Sequence, residues 1–430
     1  MRLTRRIGRK GERGVVILLV AVVLLFVVGA MAVLAIDVVT SYTARSEAQL
    51  AANAAALAGA RTLANSGMTS LPADALLTSA ARTLAIQTAK QIAANNQVAG
   101  RVFNPASEVV VTFPNQGSAT FGSNPHVEVQ VSRNDLPAFF SRIFGRTQNA
   151  VSATATAEAY NPSGLVGAAN SGQAIAPLGV KPWLLPNLDP TTGSTIFNPA
   201  NGAITNPALV GTTVTGPGLF DARCNPCTSP FPAPTQWTYY PGDPADFPPP
   251  TQLPSCNVAL NTPYKQSIAG VVTTPIACNQ QVNIDTGAYP TRQLDTAQAV
   301  NCMSHTLADK GDRVLDNPGL NPGLPFRFVG GDDNPVAAAV AQDILVSDSL
   351  VTVPVFDSPN PVVPFNNPVT IIGFVQVFLN PDGVKAPLVG PPFQIKTTIV
   401  NLAGCGAAAG GQPIIGNGAS AIPVRLIANP

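Results

Sequence analysis

Cys224-Asn-Pro-Cys227 has the spacing of a redox dithiol or of half a tetrahedral zinc site. A redox motif wants a βαβ context and a zinc site wants two further ligands. Here prolines crowd both flanks, and His126 and His305 are the chain's two histidines. The remaining cysteines, Cys256, Cys278, Cys302 and Cys405, also lie in the C-terminal half. An even set in an exported region reads as structural disulfides whose pairing the sequence leaves open, with metal and redox uses as alternatives. His305, within Asn301-Cys-Met-Ser-His-Thr, could act as general base for a serine. No Gly-x-Ser-x-Gly elbow accompanies it, so a surface or helix histidine is expected, and a cleft uniting His305 with an acid and a serine would be the mark of a hydrolase. Asp332-Asp333 after Gly330-Gly331 resembles a fragment of a calcium loop, but with two acids and no ladder of further ligands it reads as a turn. Gly404-Cys-Gly406 and Gly410-Gly411 lack the strand, helix and lysine of a phosphate loop. The expectation is therefore a non-enzymatic protein with no catalytic residue, no cofactor and no metal.

What must carry these residues is dominated by one segment. Val15 to Ile36 holds no charged side chain, and at 1.5 Å per residue it spans roughly 33 Å, enough for one crossing of a bilayer. Arg2, Arg5, Arg6, Arg9, Lys10 and Arg13 precede it against the single acid Glu12, whereas Arg45 is the first basic residue beyond it. That bias places residues 1–14 in the cytoplasm as a basic stub and the body outside. A cleaved signal is the rival reading, with Ala30, Ala32 and Ala35 able to present a cleavage site. The apolar run exceeds a signal's usual core and the helical pattern continues past it. Asp37, at the exit, marks the water boundary rather than a proton path. Charged residues make up 11% of the 430, below half the usual share, and the net charge of +1 leaves no basic face for nucleic acid.

Residues 37–160 read as a small α+β domain. Asp37 to about Asn65 is one Ala-rich helix in which Ala48, Ala52, Ala55, Ala56 and Gly59 recur at spacings of three and four. So bare a stripe lets another helix approach closely: the second helix of the same domain, or an assembly partner in a homo- or hetero-oligomer. A turn at Asn65 to Ser70 leads to a second helix from Leu71-Pro72, with Asp74 in its first turn. Alternation of period two then marks strands around Val109 to Phe113, Val127 to Val131 and Val151 to Ala159, with a short helix from Asp135 to Phe144 stopped by Gly145.

At residue 160 the composition changes: five of the 42 prolines precede residue 161. Residues 161–176, rich in Gly, Ala, Ser and Asn, read as a linker, and 177–430 as a proline-rich, mainly-β domain supplemented by disulfides. Its proline density excludes long helices and central parallel strands. Strands are expected at Ser267 to Thr273, Ile344 to Phe356, Val369 to Leu379, Phe393 to Val400 and Val424 to Ala428. A proline-rich surface excursion is expected over 225–254, with Pro248-Pro-Pro250 as a stiff spacer.

Arg13-Gly14, Asp37, Tyr42, Arg45 and Gln49-Leu-Ala-Ala-Asn-Ala-Ala-Ala-Leu-Ala-Gly-Ala60 together resemble the N-terminal signature of the TadE/TadG-like proteins of bacterial Flp pilus assembly. Phe139-Phe-Ser-Arg-Ile-Phe-Gly145, Val353-Pro-Val-Phe-Asp357 and Ile371-Ile-Gly-Phe374 resemble later segments of such proteins. Asn53 stands where the family usually has Asp, which weakens a charge-dependent role there. The resemblance implies a single-pass inner-membrane component with a periplasmic body, tied to a machine that makes adhesive pili; its partners would be the membrane and pilus-assembly or secretion proteins. Some relatives carry a metal site beginning Asp-x-Ser-x-Ser, which neither Asp348-Ser349-Leu nor Asp357-Ser358-Pro359 fits. Glu12 is also misplaced after Gly8 and Gly11 for prepilin processing. The other function class kept open is an exported adhesin or envelope structural protein.

Overall fold

The computed structural model describes residues 12–114, 124–137, 142, 145, 148–164, 174–189, 192–219, 236–285, 292–305, 310–315, 324–358, 368–388, 395–406, 414–415 and 420–427. Its contacts divide the chain into one unit of residues 1–55, 90–111 and 129–155 and a second of 56–89, 112–128 and 156–430. None of the points at which the units meet along the chain coincides with the composition change at residue 160. The fold is α+β, with a long apolar N-terminal helix, a small mixed region and a C-terminal portion built mainly of strands.

In the first unit, helix α1 (Glu12–Asn65) contributes residues up to Ala55. With Ala throughout its second half and no proline, nothing interrupts a helix about 80 Å long. Helix α2 (Ala75–Ala94) supplies its last turn. It begins at Ala75 rather than near Leu71: Leu71–Asp74 is a turn, and Asp74 Oδ1 accepts from the Leu77 amide at 2.9 Å as the N-cap. A hairpin of β1 (Gln97–Val98) and β2 (Arg101–Val102) turns through Ala99 and Gly100, both at positive φ. Strands β3 (Val109–Thr112), β4 (His126–Pro137) and β5 (Gln148–Ala159) follow. Their alternation buries Val109, Val129, Val131, Val151 and Ala153 and turns their neighbours outward. Gln49 donates to Asn53 Oδ1 at 2.9 Å and to the Thr154 carbonyl at 3.1 Å, joining α1 to β5. The helix expected from Asp135 does not start there: Asp135, Leu136 and Pro137 extend β4, with the Arg133 and Arg101 guanidiniums holding Asp135 at 2.8 and 3.1 Å. Most of the rest of that expected helix, through Phe144, lies outside the described residues.

The second unit centres on a closed sheet. Its elements are β6 (Ile175–Ala176), β7 (Trp183–Pro186), β8 (Thr213–Leu219), β9 (Gln236–Pro241), α3 (Pro263–Ala269), β10 (Gln281–Val282), α4 (Arg292–Met303), β11 (Arg313–Leu315), β12 (Arg327–Val329), β13 (Asp343–Ile344), β14 (Leu350–Phe356), β15 (Val369–Leu379), β16 (Ile395–Gly404), β17 (Ile414–Ile415) and β18 (Val424–Ile427). The order β15-β14-β7-β9-β8-β16 returns to β15, which pairs with β16 as well, so the ring has no free edge. β10 adds to the start of β15, and β18 pairs with Thr156–Ala159 of β5. Strands β14, β15 and β16 are buried almost throughout, as expected of strands covered on both faces.

Several expectations for this region are overturned. The ring contains parallel pairs, β7 with β14 and β8 with β9, despite the proline density. The first pair spans two ladder positions, and Gly216-Pro217 falls where the β8–β9 register shifts, so Pro217 sits where the ladder is already interrupted. Ser267 to Thr273 is not a strand: the Thr262 hydroxyl accepts from the Lys265 amide at 3.3 Å, Pro263 opens α3, and Gly270 ends it. Within the excursion expected over 225–254, residues 236–241 form β9 inside the ring with Tyr239 and Tyr240 buried. The Tyr239, Tyr264 and Thr296 hydroxyls bond mutually at 2.6 to 3.1 Å, tying β9 to α3 and α4. The expected linker is built in at its start: Asn161 is fully buried and donates to the carbonyls of Thr69 and Leu402. Its centre lies outside the described residues.

A polar network anchors the end of α1 on this ring. The Asn401 amide donates to the Ala64 carbonyl at 2.6 Å and to Gln376 Oε1 at 2.7 Å, and Asn401 Oδ1 accepts from Thr69 at 3.2 Å. Asn401 and Gln376 are both fully buried, beside the bulge that shifts the β15–β16 register. Asn401→Ala leaves these groups without partners and is expected to destabilise the protein by about 3 kcal/mol, read as a lowered urea midpoint of the full chain in micelles. A midpoint unchanged from wild type would show that the network contributes nothing.

Candidate functional site

The second unit holds a cavity of about 830 Å³. Leu57, Ala58 and Arg61 of α1, the chain ahead of β7, the Pro250–Pro254 turn, the end of α3, and the residues after α4 and before β14 build its wall. Among the described residues, four ionisable side chains line it: Arg61, Lys181, His305 and Asp348. Gly270 is required here because Pro250 occupies the space a Cβ would take.

Lys181 is buried, and its Nζ donates to the Ile268 and Gly270 carbonyls at 2.6 and 2.8 Å. Burial pushes its pKa down to about 7, with the Asp348 charge pulling the other way. His305, at φ 54, sits at the end of α4 with Nε2 2.8 Å from Asp348 Oδ2. That hydrogen bond raises the imidazole's pKa against the opposing effect of burial. Ser347 lines the same cavity, so an acid and a serine do share it with His305. The serine hydroxyl, however, donates to Asp312 Oδ2 at 2.6 Å and accepts from the Ser349 amide at 3.2 Å. It is committed to the carboxylate of Asp312, and His305 to Asp348, which is not the geometry of a base removing a serine proton.

The other singled-out residues fall elsewhere. Cys256 bonds to Cys302 and Cys278 to Cys405, while Cys224 and Cys227 lie outside the described residues. The first bond fixes the segment before α3 to the end of α4; the second joins the approach to β10 with the end of β16. Asp332 pairs with Lys310 at 2.8 Å on the surface, in a turn closed by the Asn334 amide on the Gly331 carbonyl. Gly404 and Gly202 approach so closely that neither tolerates a Cβ, and Cys405 is bonded, so Gly404-Cys-Gly406 is a packing contact. Among the described residues, no three His, Cys, Asp or Glu side chains gather as a metal would require. Arg61 and Lys181 escaped the sequence reading; the available signal was a lone cation within each of two apolar stretches.

The second candidate is α1 itself. Val15 through Val28 are each about half or more exposed, and the helix is long and apolar enough to cross a membrane. Asp37, just beyond, is 8% exposed. From there the small-residue signature is continuous with the apolar stretch on one unbroken helix.

Residues 14–62 match the Tad family model, "Putative Flp pilus-assembly TadE/G-like".

The Tad-like segment thus covers α1 almost to its end. No curated protein and no solved structure matches the chain. Within the Tad-like segment, Ala48, Ala52, Ala55 and Ala56 have no exposed surface. A Cβ on Gly59 would stand 2.9 Å from Val127 of β4 and 3.5 Å from Ala89 of α2, so the helix approaches both closely there. These residues are therefore occupied inside the chain. Asn53, the departure from the usual family acid, is the acceptor for Gln49.

Proposed function

We propose that this is a non-enzymatic, single-pass membrane protein of Flp/Tad-type pilus assembly, TadG-like in role. In this reading α1 crosses the bacterial inner membrane with its N-terminus cytoplasmic. The closed β-ring and the α+β region work in the periplasm or outside the cell, against pilus or secretion-machinery proteins. The observation that carries the reading is the coincidence, on one helix, of a solvent-bare apolar stretch and the Tad match over residues 14–62. Leaving that stretch in water would expose more contiguous apolar surface than soluble proteins carry. The basic residues ahead of it support the orientation, and the two disulfides support an oxidising compartment for the body. Because the Ala stripe is covered within the chain, an oligomer would use another face of α1, where Tyr42 and Leu50 are exposed.

Membrane retention is tested by alkaline carbonate extraction of the full chain, with externally added protease reporting the side of the body. The protein is expected in the pellet, cleaved only from the extracytoplasmic side. Val23→Arg with Val27→Arg is expected to release most of it, since each central arginine costs about 3 kcal/mol. N-terminal sequencing decides the alternative: an exported adhesin would begin near Ile36, and finding that end would remove the anchor. Loss of surface pili on deletion tests the assembly role.

A further inference from the structure

The cavity of the second unit contains a charge with nothing to meet it. Arg61 reaches the cavity from the last turns of α1, and its Nε is buried without a hydrogen-bond partner. Among the described residues its guanidinium has no carboxylate or carbonyl partner. Asp348, the one acid lining the cavity among the described residues, is held by His305 at 2.8 Å, and Lys181 adds a second nitrogen already pinned by two carbonyls. Desolvation lowers the Arg61 pKa with no neighbouring charge to restore it, so the site holds a partly desolvated cation, its Nε buried, that no group among the described residues balances. Most of the wall is apolar, formed by Leu57, Val271, Met303, Val346 and Leu350, and the volume is that of a ligand pocket rather than a packing defect.

We propose that this cavity binds a carboxylate carried on an apolar body, a peptide C-terminus or a short acyl acid, with the Arg61 guanidinium receiving the carboxylate and the aliphatic wall covering the rest. A planar guanidinium with free N–H groups matches a carboxylate in a bidentate fork. A phosphate is the poorer fit: its higher charge would have to be desolvated against one free cation and walls that offer few donors. Such binding requires the cavity alone and stands whether or not the chain serves a pilus.

The test uses the full chain in lipid nanodiscs and calorimetric titration. The probes are N-acetyl-Leu-Leu with a free carboxylate, its C-terminal amide, hexanoate and inorganic phosphate. The acid dipeptide or hexanoate is expected to bind, and which binds more tightly tells peptide terminus from acyl source. The amide and phosphate are expected to bind at least tenfold more weakly. Arg61→Gln should weaken the acid by tenfold or more, while Arg82→Gln, whose guanidinium lies over the Phe113 ring away from this cavity, should not. Arg61→Met supplies a readout independent of ligand: with no ligand present, its melting temperature should equal or exceed that of wild type, because it removes an unbalanced cation. Acid and amide binding alike, phosphate binding more tightly, undiminished binding by Arg61→Gln, no acid binding at millimolar concentration, or a marked drop in the melting temperature of Arg61→Met would each overturn the proposal.

Discussion

Replacing Cys278 and Cys405 together by alanine is expected to destabilise the oxidised protein by about 5 kcal/mol. The two residues are 127 positions apart, and their bond closes a loop containing α4 and the ring strands β14, β15 and β16. Closing so long a loop removes more entropy from the unfolded chain than the 46-residue separation of Cys256–Cys302, for which the same relation gives about 4 kcal/mol. The native geometry around the bond is set by other forces: the Cys405 amide donates to the Ile372 carbonyl at 2.8 Å and the Asn279 amide to Ile371 at 2.9 Å. Both flanks are thus held on β15 without the sulfur bridge, so the effect falls on the unfolded state. Measured as a denaturation midpoint in micelles, the double variant should match reduced wild type at this bond and lie well below the oxidised protein. Equal stability of variant and oxidised wild type would mean that Cys278 and Cys405 are not joined in the native protein.

The parts of this fold that were legible are those whose pattern is strictly local. α1 follows from an unbroken run of alanine and aliphatic residues, and β4 and β5 from alternation in Val127–Val131 and Val151–Ala159. β15 and β16 were legible because a ring strand covered on both faces needs a nearly continuous apolar run. α3 was missed because Ile268, Val271 and Val272 read as a strand, while the deciding information was the Thr262-Pro263 start signal. α4 carries Gln, Asp, Thr and Asn among its few apolar residues; contact with α3 and the Cys256 bridge stabilise what its own periodicity barely indicates. The cavity was not legible at all. Arg61, Lys181, His305 and Asp348 come from four distant stretches, and only closure of the ring onto the end of α1 brings them together. Of these, His305 was weighed as a base and Asp348 as the start of a metal motif; the structure pairs the two with each other rather than His305 with a serine.

The pH dependence of stability is expected to expose Lys181. Its ordinary pKa is 10.5, and burial brings it to about 7 in the folded protein. Between those values the unfolded chain binds a proton that the folded chain does not, so stability rises as pH rises from about 7 to 10.5 and levels off on either side. At about 1.4 kcal/mol per unit, the rise from pH 7 to pH 10 amounts to about 4 kcal/mol. A neutral amine keeps two hydrogens, enough for the carbonyls of Ile268 and Gly270, so the observed bonds do not require the charged form. Lys181→Met fills much the same space without a titrating group. It loses both bonds, at about 1–3 kcal/mol for each carbonyl left bare, but that loss does not vary with pH. His305 works in the opposite sense: its raised pKa adds stability that is fully present below 6.5 and disappears as pH rises through the folded value. Because His305 is retained in both proteins, its contribution cancels when the two stability curves are subtracted. The difference between wild type and Lys181→Met should therefore change by about 4 kcal/mol in favour of wild type between pH 7 and pH 10. Parallel curves would show that Lys181 keeps its proton in the fold, and the cavity would then hold a second permanent cation beside Arg61.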